Sequence, residues 1–447
     1  MEKCTLKTSC GHICGSQNED VRIFQGIPYA ITNRFEYPKE YPSWKESLDA
    51  TSNNKGTDCY QQSSFPNINV QLNEFFEKEF PPQKEFLYAD SPMCLNVITP
   101  AKAEKCPVVI FFHGGGHEIG KYDELPYGQS TEYAKRGIIL VSVGYRLNVF
   151  SFYNGGNYGL HDMIAAIKWV KQHIADFGGN SDKITLMGQS AGAMSIMYLM
   201  YGEKLKGLIQ GAILLSGGGV IPKVAGPLYK KEAKYFWEKV SKKANADSID
   251  ELKNADPQIL WYAWHTELEN DKNRTRLVQP EIDGDIIPDL PQKIFLKGKD
   301  LDIPVILSVT SQDLMAPVMF DVAFQYAKRN AQKGRNPVYC AMFDKTLPGN
   351  SYKAFHSGDL WYTFGNMEKS WRPFEKVDKD LSQLIIDYYS NFIKTTNPNN
   401  TNLPVWKPIS KTHKEFRLFD GYSDGYMSVA ECRMKTLHSA LFDKGPL

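Results

Sequence analysis

Residues 183 to 194, Lys-Ile-Thr-Leu-Met-Gly-Gln-Ser-Ala-Gly-Ala-Met, constrain the fold of this chain more than any other stretch. A short apolar run passes directly into Gly188-x-Ser190-x-Gly192 and then into residues that suit a helix. The pattern predicts a strand, a sharp turn and a helix, in that order. A serine at the tip of such a turn has a strained backbone, which the flanking glycines make sterically possible, and its hydroxyl stands above the sheet. The helix that begins there turns its positive end toward any negative charge created when the serine attacks.

The same rhythm extends on both sides of the turn. Leu95 to Thr99, Pro107 to Phe112, Gly137 to Val143, Ala212 to Leu215, Pro304 to Val309 and Val338 to Phe343 read as strands, mostly continuous apolar runs of the kind buried on both faces. Val21 to Ala30 reads as a strand of an N-terminal hairpin ending in a Gly-Pro turn. Leu160 to Phe177 predicts an amphipathic helix with Ile164, Ile167, Val170 and Ile174 on one face, and Leu381 to Ile393 a closing helix. Alternation at this pace means an α/β fold, with a mainly parallel central sheet flanked by helices, in one domain over residues 1–447. Residues 222–279 break the rhythm. They are helical, charged and aromatic, as in Leu260-Trp-Tyr-Ala-Trp264, and read as a cap-like insertion over part of the active-site face. Residues 51–90 read as a long surface loop with a short helix at Val70 to Glu77, a candidate wall of a substrate gorge.

Charge excludes several classes of partner. With 52 basic and 51 acidic residues, no long-range field attracts nucleic acid or an anionic membrane. The first residues, Met-Glu-Lys-Cys-Thr-Leu-Lys, form no apolar signal core, and no apolar run approaches bilayer length. A cytoplasmic chain acting on a small neutral partner is expected. Eight cysteines without such a signal read as reduced thiols, and the spacing of Cys4, Cys10, His12 and Cys14 fits no usual zinc pattern, so no metal is expected.

The strand ending at Phe112 runs straight into His113-Gly114-Gly115-Gly116-His117. Successive glycines after a buried strand leave bare backbone N–H groups where a developing oxyanion can approach. His113 reads as pinning this loop, while His117 and Gln189 are candidate pocket residues. Trp261 and Trp264 suit either a pocket wall or buried packing. A serine hydroxyl needs a neutral imidazole to take its proton and a carboxylate to orient that imidazole. Reactive groups in parallel sheets lie beyond the carboxyl ends of strands. That position selects Asp313 over Asp302, which precedes its strand, and His356 after the strand at 338–343.

These stretches together resemble the type-B carboxylesterase family, the cholinesterase-like branch of the α/β-hydrolases. The matching residues are Phe24-Gln-Gly-Ile-Pro-Tyr-Ala30, Leu95-Asn-Val97, His113-Gly-Gly-Gly116, Tyr145-Arg-Leu147, Asn157-Tyr-Gly-Leu-His-Asp162, Phe177-Gly-Gly179, Gly188-Gln-Ser-Ala-Gly192, Ser216-Gly217 and His356-Ser-Gly-Asp359. The resemblance implies an α/β-hydrolase fold with Ser190 as nucleophile, Asp313 as acid and His356 as base. The N–H groups of Gly115, Gly116 and Ala191 would form the oxyanion hole. It also implies a serine esterase that needs no cofactor and acts on a small-molecule ester; an amidase or acyltransferase would use the same triad, and a binding module would have lost it.

Departures from the family pattern carry expectations of their own. Most relatives place glutamate where Asp313 falls, so the shorter side chain requires a closer backbone. The partner expected for Cys59 in the family's loop-closing disulfide is replaced by Pro92. The long loop lacks the tryptophan with which cholinesterases hold a quaternary ammonium, which argues against choline esters as substrate. The short stretch between Asp313 and His356 implies a reduced cap and an open pocket.

Overall fold

Successive side chains of a strand point to opposite faces of its sheet, so a strand apolar throughout must be covered on both sides. The computed structural model describes residues 1–52, 57–61, 75, 77–80, 87–89, 92–220, 226–423 and 425–442. Its main sheet contains β1 (Glu2–Thr8), β2 (Gly11–Gln17), β3 (Val21–Pro28), β4 (Cys94–Pro100), β5 (Cys106–Phe112) and β6 (Ile139–Val143). It continues with β7 (Gly179–Gln189), β8 (Gly211–Leu215), β9 (Val305–Thr310), β10 (Val338–Phe343), β11 (Glu415–Phe419) and β12 (Tyr426–Ser428). Among the described residues the spatial order is β1-β2-β3-β4-β6-β5-β7-β8-β9-β10-β11-β12. From β6 to β11 neighbouring strands run parallel, while β1 to β4, the β4–β6 contact and the β11–β12 contact are antiparallel.

The alternation is visible in the two cores. Val108, Ile110, Phe112, Leu186, Leu214 and Leu307 pack on one face with helices α1 (Tyr158–His173) and α2 (Ala191–Met200). Val109, Phe111, Met187, Ile213, Leu215 and Ile306 pack on the other. Residues 226–279 supply α3 (Lys230–Lys243) and α4 (Pro257–Glu269), with shorter helices at Ile249–Asn254 and Arg274–Leu277. Helix α5 (Ala316–Lys333) covers the first face, α6 (Lys376–Thr395) the second, and α7 (Val429–Phe442) packs against α5. Mean direction and register follow from burial, since a one-residue slip would exchange the two faces.

Several elements differ from the sequence expectation. The helix expected over 160–177 is an α-helix only to His173, and its last turn, Ile174–Phe177, tightens to a 3-10 helix closed by Gly178 at φ 83°. Strand β7 begins earlier than expected, and α6 extends the expected closing helix at both ends. The β1–β2 hairpin, helix α5 and residues 415–442 were not expected as elements. The hairpin and β12 are partly exposed edge pieces without a continuous apolar run, and the buried face of α5 includes Ala316, Ala323 and Ala327, which give little hydrophobic signal. Most of the loop expected over residues 51–90, including most of its short helix, lies outside the described residues.

Two motif residues lock the site-bearing side of the sheet. Arg146, just after β6, and Asp162, in α1, are both fully buried and joined by Nη2 to Oδ1 at 2.6 Å and Nε to Oδ2 at 2.8 Å. Removing one partner strands a buried charge, so Asp162→Asn should lower stability by about 3–5 kcal/mol in a urea denaturation series. The double substitution Asp162→Leu with Arg146→Met, which removes both charges, should recover much of that loss.

Candidate active site

The chain leaves β5 toward β6 on one side and returns to β7 on the other, so the carboxyl ends of β5 and β7 lie side by side, with Phe112 opposite Gly188. This change of direction opens a crevice at the strand ends. Ser190 follows β7 with φ 52° and ψ −123°, a conformation a non-glycine residue adopts only under constraint. The constraint is supplied by its own N–H, which donates to the Leu215 carbonyl of β8 at 2.8 Å. Gly192 is required by contact, because a Cβ there would lie 2.2 Å from the Phe112 carbonyl oxygen.

The ends of β9 and β10 bring two further groups to the serine. A single parallel bridge pairs Gln312 with Phe355, and the Gln312 N–H donates to the Ala354 carbonyl at 3.1 Å. The residues that follow are Asp313 and His356. His356 Nδ1 lies 2.5 Å from Asp313 Oδ1, and His356 Nε2 lies 2.9 Å from Ser190 Oγ. Asp313 Oδ2 accepts the Thr310 N–H at 3.1 Å. Burial pushes the Asp313 carboxyl up, but the facing His356 ring, the Ser216 hydroxyl and the Thr310 N–H together hold it below its ordinary value. An ionised carboxylate on Nδ1 fixes the tautomer that leaves Nε2 to accept the serine proton. The close backbone that the shorter Asp313 side chain requires is supplied by the bridge.

The glycine loop packs directly on this group. A Cβ on Gly114 would lie 3.0 Å from Ser190 Cβ, and Gly115 has φ 102° with no room for a side chain, its imagined Cβ 2.0 Å from the Ile119 carbonyl oxygen. The Gly115 carbonyl accepts N–H groups from Glu118 and Ile119, both at 3.0 Å, which turns the loop tightly. Ala191 opens α2, where the first N–H groups have no partner within the helix. His113 pins the loop base. Its ring stacks on Tyr145 with centroids 4.6 Å apart, and Tyr145 Oη donates to the His113 carbonyl at 2.7 Å.

His117, expected at the mouth, is only 2% exposed, and its Nε2 lies 2.9 Å from Ser195 Oγ. Gln189 is also buried. Its amide donates to Ser357 Oγ at 2.8 Å and lies 3.3 Å from His356 Nε2, so it touches the His356 ring directly. Trp261 and Trp264 are buried in α4, Trp264 within the core cluster. Cys4 and Cys14 lie on β1 and β2, and Cys10 Sγ is 3.5 Å from His173 Nδ1, far along the chain from the serine turn. None of the eight cysteines, all of them among the described residues, forms a disulfide. Sequence reasoning missed Thr310, Ser216, Ser357 and Asp359 as neighbours of the Asp313–His356–Ser190 group. The last three stand inside the quoted motifs, and that was the only available signal.

Comparison with known proteins identifies the family. A model of the carboxylesterase family matches residues 2–323 and 310–424. The chain belongs to the carboxylesterase family. It is 28% identical to the para-nitrobenzyl esterase of Bacillus subtilis (strain 168), over 93% of this chain and 94% of that one. It is 25% identical to the cocaine esterase of Homo sapiens, over 91% of this chain and 85% of that one. Among solved structures, a PNB esterase superposes with a TM-score of 0.79 and a thermophilic PNB esterase with 0.81, each at 24% identity over 97% of this chain and 99% of the other. The fold is therefore that of the α/β-hydrolases, and the chain is a carboxylic ester hydrolase.

One buried carboxyl near His356 has no hydrogen-bond partner. Asp359 is 3% exposed, neither of its oxygens has a hydrogen-bond partner, and burial, reinforced by Asp313 and only partly offset by His356, pushes it up to about 7. The folded protein thus keeps a proton that the unfolded chain releases near the ordinary value of 3.8, so this residue costs stability as pH rises from there to about 7. Asp359→Asn removes the titration. Its stability advantage over the wild type, measured by denaturation, should grow from pH 5 to pH 8; an advantage that stays constant would mean that Asp359 is ionised in the folded state at both.

Proposed function

We propose that this carboxylesterase hydrolyses small carboxylic esters through an acyl-enzyme on Ser190. His356 takes the serine proton as Oγ attacks the ester carbonyl and returns it to the departing alcohol. Asp313 holds the ring and stabilises its cationic form. The N–H groups of Gly115, Gly116 and Ala191 receive the oxyanion. Water, activated by the same imidazole, then releases the acid. The observation that carries the reading is the continuous line from Asp313 Oδ1 through His356 to Ser190 Oγ, at 2.5 and 2.9 Å. The names of the relatives support an ester over an amide.

The insertion at residues 222–279 suits a cap over the site. Only α5 and β10 are long elements between the proposed acid and base, which favours an open pocket on that side. Cysteines that form no disulfide suit a reducing compartment, the cytoplasm, and among the described residues no helix is long and apolar enough to cross a membrane.

A series of nitrophenyl esters from acetate to decanoate tests activity and acyl preference together. Ser190→Ala and His356→Ala should each lower kcat by a factor on the order of 10⁴ or more, and a fluorophosphonate should label the wild type but not Ser190→Ala. Turnover that survives Ser190→Ala would defeat the proposal.

A further inference from the structure

His117 sits where the two arms of the proposed oxyanion hole meet, Gly115 and Gly116 on its own loop and Ala191 at the start of α2. Its φ of 65° places it in the left-handed region, and its carbonyl accepts the Asn148 N–H at 2.7 Å. The ring turns inward. Nε2 lies 2.9 Å from the hydroxyl of Ser195, which is 1% exposed and stands one helical turn beyond Ala191 on α2. Phe152 meets the ring edge-on with centroids 5.4 Å apart. Burial, against the pull of the Ala191 and Val278 carbonyls, holds the imidazole at about 4, so it is neutral at working pH.

We propose that His117 is a positioning residue, whose bond to Ser195 fixes the spacing between the glycine loop and the helix that carries Ser190 and Ala191. The proposal rests on the reading of Ser190 as nucleophile and goes beyond it. The oxyanion donors come from two separate segments, and their usefulness depends on converging within a few tenths of an ångström on one oxygen. Glycines give close approach but no rigidity, because they have more backbone freedom than any other residue. A side chain from the loop to the helix restores that rigidity. The next residue anchors the same loop in another direction. Glu118 receives Arg274 Nη2 at 3.1 Å, and Arg274 Nε in turn bonds Glu269 of α4 at 2.6 Å, so the loop is tied to the insertion as well. The His117 bond, unlike these, reaches the serine's own helix.

Two variants break the bond from opposite ends. His117→Asn keeps a residue that tolerates the left-handed backbone but is too short to reach Ser195, and Ser195→Ala removes the partner. Each should lower kcat for nitrophenyl acetate about tenfold with little change in KM, and the double variant should be no slower than either single one. Affinity for a trifluoromethyl ketone, which forms a tetrahedral adduct on the nucleophile, should weaken by the same factor. Wild-type kcat in both variants, or a raised KM with kcat intact as a pocket wall would give, overturns the proposal. If His117→Asn does not fold, Ser195→Ala alone decides. Failure of the underlying reading has a different signature, namely a wild type that forms no ketone adduct at Ser190 or a Ser190→Ala variant that still turns over ester.

Discussion

The hydrogen bond between Asp313 and His356 depends on the way β9 and β10 end. Two residues 43 positions apart meet at 2.5 Å because Gln312 and Phe355 form one more parallel bridge after the regular ladder has stopped. The whole central sheet lies behind that contact. It holds the two strand ends parallel, and its two apolar faces fix their register, since a slip of one residue would turn every buried side chain toward the wrong core. The shorter carboxylate side chain makes the bridge more important here than a glutamate would.

The serine side of the site shows the complementary use of backbone. Ser190 is held at an unfavourable φ by its bond to β8, Gly192 lets α2 press against the end of β5, and Gly115 accepts a turn that no side chain would fit. Backbone strain of this kind persists only where the surroundings over-determine it. The surroundings here include the stacked His113–Tyr145 pair, the buried Arg146–Asp162 ion pair and the links from His117 and Glu118 outward. Stability and the proposed chemistry thus draw on the same contacts, and the glycine loop is supported by neutral and charged anchors on different sides.

The chain keeps the family's core while departing from it at the periphery. Its cysteines form no disulfide, and Cys59 receives the Leu147 N–H at 3.3 Å, so the thiol is accommodated by backbone of the site-bearing side. Loop closure without a disulfide leaves more freedom in the unfolded chain, which makes buried polar links such as Arg146–Asp162 weightier for specifying one structure.

The strands of the central sheet were legible because continuous apolar runs bounded by glycine and proline have few other uses. The serine turn, the glycine loop and the order Ser, Asp, His were legible because each is a local pattern at a strand's carboxyl end. Edge strands, the alanine-lined α5 and the C-terminal elements were not, since their stability comes from neighbours and not from their own periodicity. The sequence by itself determined which residue types were available for acyl chemistry and that they would gather at one edge of a parallel sheet. Tertiary structure alone decided that His117 turns inward to Ser195, that Gln189 touches the His356 ring, and that Asp359 is buried without a hydrogen-bond partner. Those outcomes depend on packing between segments distant in the chain, where side-chain direction is set by the available space and hydrogen-bond partners and leaves no trace in local spacing.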